Sequence, residues 1–128
     1  IYMIYMKLNK PKYSLFKNGM YALEGFVDIT KNESSFKLQL VLFVVMSVVA
    51  WMLPIGFGYA SILFISLFVP IMAEVINSAI ERVVDLVTSD YHILAKQAKD
   101  AGATFVLLSL IFTGLIWLAT LAVAFKIL

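Results

Sequence analysis

Residues 38–73 and 101–125 contain no charged side chain. Helices of water-soluble folds keep a polar face, whereas an uncharged apolar run of about 20 residues is what a bilayer crossing requires. Pro54, Gly56 and Gly58 divide the first run by a short uncharged turn, so three spans are expected. The segment 38–55 would rise about 27 Å as an α-helix, close to the hydrocarbon thickness. Composition agrees: 62% of the 128 residues are hydrophobic and only 14% charged, against about a quarter charged in soluble domains. The expected fold class is an all-α membrane protein, one membrane domain with an N-terminal amphipathic surface helix and three transmembrane helices.

Boundaries follow from local pattern. The surface helix is placed at about 12–29, where Tyr13, Phe16, Met20, Leu23 and Val27 recur at helical spacing, while Lys17, Asn18, Glu24 and Asp28 take other positions and Pro11 suits a helix start. Spans are placed at 34–55, 58–88 and 101–126, with a polar loop at 89–100. Thr30 and Glu33 fit a capping box opening the first span. The second span, at roughly 45 Å, is too long for an apolar core of about 30 Å, so its last third projects beyond the lipid. Pro70 removes the hydrogen bond to the Ser66 carbonyl and predicts a local kink. Residues 1–6 lack the charged start of a signal peptide and are read as a disordered tail, or as residues upstream of the true start.

Nine of the ten basic residues lie in the N-terminal segment or in the 89–100 loop with Arg82, and none in the turn around Gly56. The positive-inside rule then puts the N-terminus and that loop in the cytoplasm and the C-terminus outside. A net charge of +2 argues against nucleic acid as a partner, and the absence of cysteine excludes disulfide, thiolate-metal and cysteine-nucleophile chemistry.

Chemistry concentrates where the second span leaves the membrane. Glu74, Asn77, Glu81 and Asp85 are spaced by three, four and four residues, which gathers them within about 80° of one helical face. Acids at membrane depth are costly and suggest function. Glu74 reads as a general base for a lipid hydroxyl, or as a protonated interhelical hydrogen-bond donor. Glu81 and Asp85 suit Mg²⁺, or are solvated helix residues beside Arg82. Glu33, at similar depth, shares such a metal or caps its helix. Lys99 reaches ATP phosphates or snorkels to the interface; His92 lines a base-binding surface or is structural. There is no P-loop and no Gly-x-Gly-x-x-Gly fingerprint. On residue types, metal-assisted phosphoryl transfer and an acid-lined proton or ion path stay equally open.

The run Glu74-x-x-Asn77-Ser78-Ala79-Ile80-Glu81-x-x-Val84-Asp85, followed by Ala98-Lys99-Asp100, resembles the signature of the small prokaryotic diacylglycerol kinase family, which includes undecaprenol kinases. The likeness runs from about residue 14 to the C-terminus. It implies a homotrimer in the bacterial cytoplasmic (inner) membrane, with sites between subunits, that phosphorylates a lipid alcohol with ATP and Mg²⁺. By this resemblance Glu74 is the catalytic base, Glu33 and Glu81 are metal ligands that also meet ATP, and Asn77 and Asp85 organise the site. Tyr21, Asp90, Tyr91, His92, Lys99 and Asp100 would contact ATP, and Ser14, Gly19, Ser35, Glu74 and Ala103 the lipid substrate. Ser14 stands where relatives carry arginine, with Lys12 and Lys17 nearby. The Tyr91-His92-Ile93-Leu94 stretch lacks the proline associated with undecaprenol kinases, which favours diacylglycerol.

Overall fold

The computed structural model describes residues 14–127, and those are helical throughout apart from short connections. The lysines at 7, 10 and 12, Pro11, Tyr13 and the 1–6 segment lie outside the described residues. Five helices follow in order: α1 (Leu15–Asn32), α2 (Ser34–Met52), α3 (Gly56–Ser66), α4 (Phe68–Val87) and α5 (Ile93–Ala124). Three helical rods are long and apolar enough to cross a membrane: α2, the nearly continuous α3–α4 pair spanning Gly56–Val87, and α5.

Helix α1 starts where the Ser14 hydroxyl accepts from the Lys17 N–H at 3.5 Å. It runs three residues past the expected end, so the capping box does not form. Thr30 lies inside the helix and donates its hydroxyl to the Phe26 carbonyl at 2.7 Å, while the Asn32 amide donates to the Asp28 carbonyl and carboxylate. Glu33 is the single extended residue between α1 and α2, and its side chain caps neither. Its carboxylate turns instead to Arg82, because a charge-assisted bond to a guanidinium outweighs a neutral cap.

Gly56 opens α3 with φ +78°, a left-handed conformation that favours glycine. Between α3 and α4, Leu67 keeps a helical φ of −67° but its N–H turns to Phe64, so the regular helical ladder is interrupted there. This is where Pro70 withholds its donor. At the far end, α5 begins at Ile93 rather than near 101, and only 88–92 is left as connection. The His92 Nδ1 accepts from the Leu94 N–H at 3.1 Å, and Lys96 and Asp100 pair across one turn at 2.5 Å. A cap, an i,i+4 pair and good helix formers keep this polar stretch helical.

The α3–α4 rod is central: 33% of its most apolar window is buried, against 11% for α2 and for α5. At the α2–α3 turn, Ala50, Ile55, Ala60, Leu63, Leu67 and Trp117 form an apolar cluster. Toward the other end, α4 packs chiefly on α5. There α4 buries Pro70, Ala73, Glu74, Asn77 and Ser78, and α5 answers with Gly102, Ser109, Thr113 and Trp117. Small residues let backbones approach where lipid supplies no hydrophobic drive between helices. Helix α1 buries no residue; the Phe26 ring meets Phe36 edge-on at 5.7 Å. Large apolar side chains such as Leu42, Val45, Leu108 and Leu115 face outward.

Candidate active site

Helix α4 sets the row Glu74, Asn77, Glu81 and Asp85 along a gradient of exposure. Glu74 retains 4% of its surface, Glu81 is half-buried, and the Asp85 side chain is 63% exposed. One helical periodicity therefore yields carboxyls in three solvent environments. Among the described residues no side-chain hydrogen bond ends on Glu74, yet its carboxylate oxygens are not fully enclosed.

Asn77 links the levels. Its amide nitrogen donates to Glu81 Oε1 at 3.2 Å. Its Oδ1 is buried and unpartnered, pressed against the Cα of Gly102, where any Cβ would overlap it. Gly102 thus permits α5 to seat directly on the acid row, a role the sequence reading did not assign it. Buried polar atoms without partners are uncommon, and they gather at functional sites.

Beyond Asn77 the charges pair across helices. Asp85 Oδ1 accepts from Lys99 Nζ at 2.5 Å. Asp85, Asp90, Tyr91, His92, Lys99 and Asp100 together line an open cleft of about 390 Å³ at the α4–α5 connection. Six residues singled out in the sequence for nucleotide contact or site organisation are therefore brought to one concavity. Tyr91 is well exposed in it, whereas His92 spends Nδ1 on the α5 cap.

Other candidates lie apart from this cleft. Tyr21 and Gly19 are on exposed parts of α1, Ser35 is in the first turn of α2, and Ala103 faces outward on α5. Ser14 acts as the α1 cap. No group of three or more metal-ligating side chains converges among the described residues. Glu33 Oε1 accepts from Arg82 Nη2 at 3.0 Å and Nε at 3.2 Å, and Arg82 Nη1 also donates to Asp28. That hydrogen bond is the main reason the Asp28 carboxyl is held below its usual range. The sequence had placed Asp28 only among polar positions of a surface helix; an acid five residues before Glu33 was the available signal.

Residues 20–121 match the family model described as prokaryotic diacylglycerol kinase. The chain is 36% identical over 103 residues to a Helicobacter pylori protein named diacylglycerol kinase, covering 80% of each. It is 37% identical over 93 residues to the protein of that name from Pseudomonas aeruginosa, covering 71% of this chain and 76% of that one. For the Escherichia coli K12 protein of the same name the identity is 32% over 103 residues, covering 80% and 84%. With its matched residues running through all three apolar spans, the chain belongs to the prokaryotic diacylglycerol kinase family and is an integral membrane kinase.

Proposed function

We propose that the chain phosphorylates diacylglycerol to phosphatidic acid with ATP, using Glu74 as general base. The observation that carries this is the exposure gradient along α4: a largely buried glutamate two turns below a half-buried one, with a polar cleft beyond. The Glu74 carboxylate accepts the proton of the lipid hydroxyl as the hydroxyl oxygen bonds to the γ-phosphorus. The bond to the bridging oxygen breaks, and ADP leaves with the electron pair. A buried site keeps water from competing for the phosphoryl group. Lys99 gives up Asp85 to pair with ATP phosphate, and Asp90 and Tyr91 cover the nucleotide. The relatives named diacylglycerol kinase support a lipid alcohol as the acceptor.

The residues fit Mg²⁺ by donor chemistry: Glu33 and Glu81 offer hard carboxylate oxygens, and Glu33 already holds a cationic group, Arg82. These two would hold the ion, which when bound neutralises phosphate charge. The described residues of one chain do not gather a full ligand set, and its apolar faces are uncovered. Both features support a homotrimer with sites shared between subunits. Helix α1 then lies in the cytoplasmic interface of the bacterial inner membrane, the nucleotide cleft faces the cytoplasm, and the C-terminus lies outside.

The test is ³²P transfer from ATP to diacylglycerol and, separately, undecaprenol in mixed micelles. Diacylglycerol is expected to be the better acceptor, and Glu74→Gln to reduce turnover by about 10²–10⁴-fold with ATP binding intact. Full turnover by that variant removes the base assignment; preference for undecaprenol reassigns the lipid.

A further inference from the structure

Arg82 is the one basic side chain that reaches the α1–α2 junction from α4, and it takes hold of Glu33 there. Both of its bonds to Glu33 end on the same oxygen, Oε1. The third donor goes to Asp28. One guanidinium is therefore shared by two carboxylates on different elements, some 50 residues away in sequence. A guanidinium is permanently charged and cannot vacate an anion by losing a proton. Any other cation at Glu33 must either displace it or tolerate a like charge alongside.

We infer that Arg82 is a tethered counter-ion that competes with the divalent cation for Glu33 and so sets the metal concentration at which the site fills. The inference rests on the reading of Glu33 as a metal ligand. Asp28 makes the exchange reversible. When Glu33 turns to a metal, Arg82 keeps Asp28 as its partner and is not stranded without a counter-charge. When the metal departs, Arg82 is still beside Glu33 and returns. The same contact ties α1 to the end of α4, so occupation of Glu33 is coupled to how firmly the N-terminal helix is held. Arg82 acts through Glu33 and is a positioning residue rather than a catalytic one.

The test uses the full chain in detergent micelles, with Mn²⁺ as the probe and free Mn²⁺ read by electron paramagnetic resonance without ATP. Arg82→Gln is expected to tighten Mn²⁺ binding about fivefold, the size of a favourable exposed ion pair, and to lower the Mg²⁺ concentration giving half-maximal phosphoryl transfer by a similar factor. Arg82→Lys, which keeps the charge but not the two-nitrogen grip, should fall between Arg82→Gln and the unmodified chain. Asp28→Asn removes the alternative partner and should weaken binding. Lys31→Gln deletes the same charge from the end of α1 without touching Glu33 and should shift affinity less than twofold. Unchanged or weaker Mn²⁺ binding in Arg82→Gln overturns the inference, as does equal tightening by Lys31→Gln, which would mean long-range charge alone. Glu33→Gln separates the two levels: if it leaves Mn²⁺ binding intact, the metal reading of Glu33 itself fails.

Discussion

The Thr113 hydroxyl is shared between two carbonyls, Ser109 of its own helix at 2.9 Å and Ser66 at 3.3 Å, the latter being the carbonyl whose usual partner Pro70 has removed. In a membrane interior no water is available to satisfy an orphaned backbone oxygen, so a neighbouring helix must do it. Helix α5 supplies that donor, and Trp117 Nε1 adds a bond to the Ser66 hydroxyl at 3.2 Å. The break one turn before Glu74 is thus held from outside its own rod. Thr113→Val is expected to destabilise the protein by about 1 kcal/mol, while Thr113→Ser retains stability. In a Pro70→Ala background, where residue 70 regains its N–H, the cost of Thr113→Val should shrink. Reversible unfolding in mixed micelles gives the double-mutant cycle, and equal costs in both backgrounds would show that the proline is irrelevant to the bond.

Gly102 is the second point where α5 meets the acid row. A Cβ there would overlap Asn77 Oδ1, whereas one at Gly114 would meet nothing within 4 Å. Gly102→Ala should cost about 1–3 kcal/mol of stability, as overpacking does, and reduce turnover by displacing Asn77 from Glu81. Gly114→Ala should leave both close to the parent values. Thermal unfolding and phosphoryl-transfer rates on the pair check this.

Lys99 reaches the cleft already paired with Asp85. If it moves to phosphate, its removal weakens nucleotide binding without altering the base. Lys99→Gln is expected to raise KM for ATP about tenfold, a loss of roughly 1.4 kcal/mol, and to leave KM for the lipid alcohol unchanged. Steady-state kinetics with each substrate varied in turn distinguish this from a general loss of folding, which would lower kcat alone through the fraction of active enzyme.

The Arg82–Asp28 contact gives a pH dependence of definite sign. Asp28 has its carboxyl pKa lowered from 3.8, chiefly by the hydrogen bond from Arg82. A carboxyl with a depressed folded-state pKa adds stability above its unfolded value and loses it as pH falls through the folded one. The stability difference between the parent and Asp28→Asn should therefore be constant through neutral pH and disappear as the medium is acidified below 3.8. Because both partners are well exposed, the difference should also shrink at high salt. A difference that grows on acidification would reverse the assignment.

Much of this protein was legible in the residue order, for a local reason. Uncharged runs specify spans because a bilayer penalises charge wherever the helix lies, and the row Glu74, Asn77, Glu81, Asp85 falls on one face because helical periodicity depends only on neighbours. Pro70 likewise announced an orphaned carbonyl at Ser66. Local pattern also misled at two ends: Thr30 and Glu33 matched a cap that a distant arginine pre-empted, and the polar stretch before residue 101 proved helical. What the sequence could not settle was the partner of each polar group. Thr113 and Ser66 are 47 residues apart, and Arg82 and Glu33 are 49 apart. Those pairings depend on how α4 seats against α5 and α1, and at Gly102 that seating turns on the absence of a single Cβ. Helix periodicity located the acids; tertiary packing decided which of them are buried and which are paired, because only packing removes water and supplies partners from remote parts of the chain.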